Sequence, residues 1–188
     1  MEHKHQKQGM SSSGLKVIDL IQVGIMAAIV FVATSIVHIP SIMGVVHLGD
    51  SMVFLAAILL GRKKGAMASA IGMSLFDILH GYVLWAPFTF IIKGVMAYIA
   101  GYICYRKSYG GKNFINNLFG FILAGIFMIT AYYLSGVVMA RFLVYKAATL
   151  NEACLIALKD IPGNISQIVA GIIIALPLSL ILKKTIKN

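Results

Sequence analysis

Residues 49–79 read GDSMVFLAAILL, then GRKKG, then AMASAIGMSLFDIL: two apolar runs joined by a turn that sets three cations between glycines. The runs, Gly49 to Leu60 and Ala66 to Leu79, are short for a bilayer core of about 30 Å, which takes about 20 helical residues to cross. They predict tilted helices, or helices whose ends are covered by protein rather than lipid. Four more apolar stretches lie outward from this pair, starting near Val17, Phe88, Phe114 and Ile161. With 60% hydrophobic and 12% charged residues and a mean hydropathy of +0.90, the chain does not have the composition of a soluble domain. The expected architecture is an all-α integral membrane protein, a bundle of six transmembrane helices spanning residues 15–188. Residues 1–14 are polar and read as a disordered cytoplasmic leader, with no cleavage pattern closing the first apolar run.

Charge sets the orientation. Lys4, Lys7 and Lys16 precede the first span, and Arg62, Lys63 and Lys64 follow the second. Arg106, Lys107 and Lys112 follow the fourth, and Lys183, Lys184 and Lys187 follow the sixth. The connections around His38 to His47 and His80 to Pro87 carry no Lys or Arg. Only the fifth connection mixes signs, with Arg141, Lys146 and Lys159 beside Glu152 and Asp160. By the positive-inside rule both termini are cytoplasmic, which requires an even number of crossings. The net charge of +10 then reflects cytoplasmic helix ends facing anionic headgroups, and no nucleic-acid partner is needed to explain it.

Polar residues inside spans are costly and therefore informative. Asp50 opens the second run, Asp77 lies near the end of the third, and Lys93 lies about one and a half turns into the fourth. Under the assigned topology all three sit in the outer half of the membrane. Lys93 either pairs with one of the aspartates, knitting three helices together, or borders a ligand cavity, and the two readings are compatible. Asp50 also reads as an N-cap. Trp85, Phe88 and Tyr82 flank the third outer connection, Tyr132 lies in the fifth span, and His47 and His80 mark outer helix ends. Asn164 and Gln167 share one helix face, three residues apart, just after Pro162-Gly163. Aromatic faces with amide and carboxylate groups suit a small, flat, polar ligand. Tyr82 and Trp85 also fit an interfacial aromatic belt. Small residues spaced by four, such as Gly24 with Ala28, suit close helix packing in lipid.

Absences narrow the function further. The chain has no Walker lysine loop, HExxH, GxSxG or paired metal-ligand spacing, so no catalytic nucleophile, metal or cofactor is expected. Strings of intramembrane acids, the mark of an autonomous ion-driven pump, are missing too. What remains is a binding subunit driven by partners. A membrane-embedded enzyme acting on lipid or isoprenoid substrates is the competing class, and it would need Asp50 or Asp77 to hold a metal.

The run from His47 to Gly61, the basic turn after it, the segment Trp85-Ala-Pro-Phe-Thr-Phe-Ile-Ile-Lys-Gly94 and the segment Ile161-Pro-Gly-Asn-Ile-Ser-Gln167 together resemble the substrate-binding (S) components of energy-coupling factor (ECF) vitamin transporters. The resemblance covers residues 17 to 183. It implies a multi-pass subunit of the bacterial plasma membrane that binds a vitamin near the outer face, under a loop between spans one and two, here about Val37 to His47. It also implies docking onto a transmembrane scaffold protein carrying two cytoplasmic ATPases, through small residues of span one, here Gly24 and Ala28, with Val32 where a third small residue would stand. The Gly-Asp run and the Trp-Ala-Pro…Lys segment look most like members associated with vitamin B6 compounds or hydroxymethylpyrimidine. Riboflavin and pantothenate are the alternatives.

The orientation has a direct check. Thiol-reactive probes that do not cross membranes are expected to label single cysteines placed in either tail only after the cytoplasmic side is opened.

Overall fold

In a computed structural model the described residues are 16–41 and 44–185. The expected leader lies outside them. Helix α1 (Val17–Ile36) leads into two short antiparallel strands, β1 (His38–Pro40) and β2 (Val45–His47), with His38 opposite His47. Helix α2 (Gly49–Leu79), α3 (Ala86–Cys104) and α4 (Phe114–Val138) follow. Helix α4 continues through a π-helical turn, Met139–Leu143, and the chain ends with α5 (Leu150–Leu158) and α6 (Ile161–Thr185). The small β hairpin departs from the all-α expectation. The third connection is also shorter than read from sequence, because Pro87 sits in the first turn of α3, where its missing N–H costs nothing.

The two apolar runs of the opening motif form one hydrogen-bonded helix broken at Gly61, whose φ of 77° and ψ of 178° are open to glycine and strained for other residues. The chain doubles back there. A side chain at Gly65 would stand 2.6 Å from the Ala56 carbonyl oxygen, whereas nine residues of straight helix would separate them by about 13 Å. The two legs thus lie against each other, and α3 crosses their turn so closely that a Cβ on Gly101 would meet Arg62 Cα at 2.7 Å. This hairpin of helix is the centre of the molecule. Val53, Phe54, Ala56, Ala57 and Ile58 on one leg and Ala68, Met73 and Phe76 on the other are sealed from the surface. Around it pack α1, α3 and α6.

Four stretches among the described residues are long and apolar enough to cross a membrane: Val17–Ile36, Ala86–Cys104, Phe114–Leu143 and Leu150–Thr185. Their outward faces are aliphatic. On α1 the residues Ile18, Ile21, Ile25, Ile29, Val32 and Ile36 are exposed at helical spacing, as lipid contact requires. Pro177 lies inside α6 without ending it. The end of the bundle with Arg62–Lys64, Arg106 and Lys183 is braced: the Tyr105 hydroxyl donates to the Ile58 carbonyl at 2.5 Å and accepts from Lys183 Nζ at 2.8 Å. Asn116 Nδ2 donates to the Ile103 carbonyl and Asn117 Nδ2 to the Gly111 carbonyl. The opposite end carries the β hairpin and α5.

Glycine positions give a test of this packing. Gly65→Val and Gly72→Val, which drive carbons to within 2.6 Å of neighbouring backbone oxygens, are expected to destabilise by about 1–3 kcal/mol or more. Gly24→Val, with no heavy atom within 4 Å of its Cβ position, is expected to leave the melting temperature in detergent nearly unchanged.

Candidate functional site

A cavity lies under the β hairpin, with about 600 Å³ of space counting its mouth. Its roof is Ser41 and Gly44–His47 from the hairpin. The walls come from Asp77 on α2, Tyr82 and Trp85 of the connection, Thr89 and Lys93 on α3, and Tyr132 and Gly136 on α4. Ala157 and Asp160 at the end of α5, with Asn164 and Gln167 one and two turns further on, close it. Gly163 permits the roof to sit this low, since a side chain there would meet Val46 Cγ2 at 2.7 Å.

Deep in the wall, Lys93 Nζ donates to Asp50 Oδ1 at 2.5 Å, and the two side chains are 1% and 0% exposed. Lys93 reaches this carboxylate from α3, and Gly94 beside it lets α3 lie close on α2, since a Cβ there would stand only 3.3 Å from Ala70 Cβ. The ammonium also stands 5.1 Å from the centre of the Tyr132 ring, a favourable cation–π position. The Tyr132 hydroxyl donates to Thr89 Oγ1 at 3.1 Å, and the Thr89 hydroxyl in turn bonds the Asp77 carboxylate. Trp85 faces Tyr132 at 5.9 Å between ring centres. Across the cavity, Gln167 Nε2 donates to Asn164 Oδ1 at 3.2 Å and more weakly to the Val45 carbonyl at 3.4 Å, tying α6 to the roof.

Several acceptors remain unpaired among the described residues. Asp77 Oδ2, Asp160 Oδ1 and Gln167 Oε1 are buried without a hydrogen-bond partner, and all three residues line the cavity. Buried acceptors left unpaired are expensive, so three converging on one hollow point to donors supplied from outside the chain. His47 Nδ1 accepts from the Gly49 amide at 3.2 Å, which leaves the ring proton on Nε2. Burial, aided by the Lys93 charge, lowers His47 from 6.5 to about 4, so it is a neutral wall at physiological pH. Because the unfolded ring takes up its proton first, this residue subtracts stability as pH falls below about 6.5.

Lys93, Asn164, Gln167, Trp85, Tyr132, His47 and Asp77 therefore share one hollow. Three expected site residues do not line it. Asp50 lies behind Lys93, one oxygen on the ammonium and the other buried without a hydrogen-bond partner. Phe88 packs behind Trp85, 6.2 Å between ring centres, and against the apolar core. His80 points away: its Nδ1 bonds the Phe76 carbonyl at 3.0 Å and its ring stacks on Phe76 at 4.2 Å. Thr89, Gly136, Ala157 and Asp160 were not anticipated. Thr89 stands four residues before Lys93, on the same helical face, and that spacing was the available signal. Gly24 and Ala28 lie on the exposed face of α1 and do not line the cavity. Among the described residues no three His, Cys, Asp or Glu are grouped to hold a metal ion.

A family model described as "ECF-type riboflavin transporter, S component" matches residues 14–184. A relative from Pyrococcus woesei, described as "Uncharacterized protein in gap 3'region", is 35% identical over 150 residues, covering 80% of this chain and 90% of its own.

The buried pair predicts a non-additive mutant cycle. Lys93→Met or Asp50→Leu alone strands a buried charge and is expected to cost about 3–5 kcal/mol. The double variant is expected to melt above either single variant when unfolding is followed in detergent.

Proposed function

The chain belongs to the family of ECF-type riboflavin transporter S components, and from that premise we propose that it captures a small heteroaromatic vitamin in the cavity under the β hairpin. The family is one of transporter subunits rather than enzymes, and the chain is accordingly a substrate-binding membrane subunit of an ECF transporter. The observation that carries the vitamin reading is the meeting, in one hollow, of an aromatic wall (Tyr82, Trp85, Tyr132) with unpaired buried acceptors on Asp77, Asp160 and Gln167. Rings provide a face for a flat heterocycle, and the acceptors take its hydroxyl or amino protons.

The charged and amide groups of Asp77, Lys93, Asp160, Asn164 and Gln167 in the lining favour a hydroxylated pyridine or pyrimidine, a vitamin B6 compound or hydroxymethylpyrimidine, over a large tricyclic ring. The second reading is riboflavin, favoured by the description of the family. Pantothenate loses its support, because the ammonium that would meet its carboxylate is already bound to Asp50.

In this reading the two legs of α2 count as two crossings, giving six with α1, α3, α4 and α6, and the cytoplasm lies at the basic end. The β hairpin then faces outward as the lid. Docking onto the transmembrane scaffold, which carries two ATPases, uses the exposed face of α1 around Gly24 and Ala28. The protein sits in the cell membrane as a multi-pass subunit.

Equilibrium binding on the purified full-length chain, without ATP, tests the reading. Pyridoxine or hydroxymethylpyrimidine is expected to bind, and Gln167→Ala to weaken binding by at least about tenfold, since a charged or buried partner is worth that much. Saturable riboflavin binding with no B6 binding would select the second reading, and binding of neither would remove both.

A further inference from the structure

Charge in the cavity is not balanced. Among the described lining residues Lys93 is the one cation, and Asp50 already holds it from behind at 2.5 Å. Asp77 and Asp160 also line the walls, so one ammonium faces three carboxylates. His47 contributes no positive charge, being kept neutral by burial. The acceptors that remain are aimed inward: Asp77 Oδ2, Asp160 Oδ1 and Gln167 Oε1 have no partner, and Asp77 and Gln167 are 5% and 3% exposed. The Thr89 hydroxyl accepts from Tyr132 and gives its one proton to Asp77, which leaves Oδ2 of that carboxylate unmet.

A buried excess of negative charge is costly unless a cation meets it. We propose that the cavity selects a cationic ligand, a small heteroaromatic bearing a protonated amine, whose N–H groups are received by Asp77, Asp160 and Gln167. This rests on the cavity being the vitamin site, and adds to it a charge preference. Neutral analogues with a hydroxyl in place of the amine bind more weakly, because they satisfy the acceptors without cancelling the charge. Phosphorylated or carboxylated analogues are excluded, since an anion entering the hollow finds carboxylates and an ammonium already engaged.

The experiment is isothermal titration of the full-length chain in lipid nanodiscs with pyridoxamine, pyridoxine and pyridoxal 5′-phosphate. Pyridoxamine is expected to bind at least about tenfold more tightly than pyridoxine, the ratio a single charge-assisted hydrogen bond supplies. The phosphate ester is expected not to bind. Asp77→Asn is expected to bring the ratio of the two affinities to within about threefold, as judged by the precision of such titrations. Asp160→Asn, at a less buried position, tests the same charge if Asp77→Asn fails to fold. Equal affinities for pyridoxamine and pyridoxine, a tighter phosphate ester, or a preference that survives both substitutions would each overturn the charge preference while leaving the vitamin site in place. If no B6 compound binds at all, the B6 reading falls, and this inference with it.

Discussion

The ion pair between Lys93 and Asp50 is the constraint around which the bundle is organised. Two opposite charges with almost no solvent access lose their hydration, and only a short contact with each other compensates for that loss. The contact dictates geometry. Helix α3 must lie against α2 at the depth where a lysine side chain reaches the start of the first leg, and the small residues Gly94 and Ala70, the latter on the second leg, permit the approach. Once the pair is closed, Tyr132 on α4 covers the ammonium and Thr89 connects that tyrosine to Asp77. Four helical segments are thereby held in register by a run of polar contacts that leads from the core into the cavity wall.

The hairpin of helix in α2 is the steric counterpart of this electrostatic centre. Short legs cannot stabilise themselves by lipid contact along a full bilayer thickness; the first is instead surrounded by protein on nearly every side, while the second keeps one exposed apolar stripe through Met67, Ile71, Leu75 and Ile78. Their glycines and alanines keep the backbones close enough for dispersion to act where the hydrophobic effect between helices in lipid is weak. The arrangement leaves longer, greasier helices at the periphery and puts the costly polar groups near the middle.

Much of this was legible in the residues. The apolar periodicity, the basic turn and the isolated Asp50, Asp77 and Lys93 carried the bundle and its polar interior, because charges in an apolar run admit few physical explanations. The break at Gly61 was marked by the two glycines that flank the cations. What could not be read was direction. His80 and Phe88 have the chemistry of site residues, yet one helical turn decides whether a side chain meets a cavity or its neighbours, and Phe76 captures His80 by stacking. Asp50 and Asp77 looked equivalent in sequence, and only packing assigns one to the lysine and the other to the hollow. Asp160 belonged to a mixed-charge connection, where an acid is ordinary until the fold brings it under a roof. The short strands around residues 38–47 left no alternating pattern long enough to register.

Bracing is unequal along the long axis. Tyr105, Lys183, Asn116 and Asn117 lash the basic end through several short hydrogen bonds. Among the described residues the roof is tied to α6 by one hydrogen bond, 3.4 Å from Gln167 to the Val45 carbonyl, and the His38 and His47 rings lean on Phe76 of α2. A guest that displaced the Gln167 contact would free this roof from α6 while leaving the hydrogen bonds of the basic end untouched.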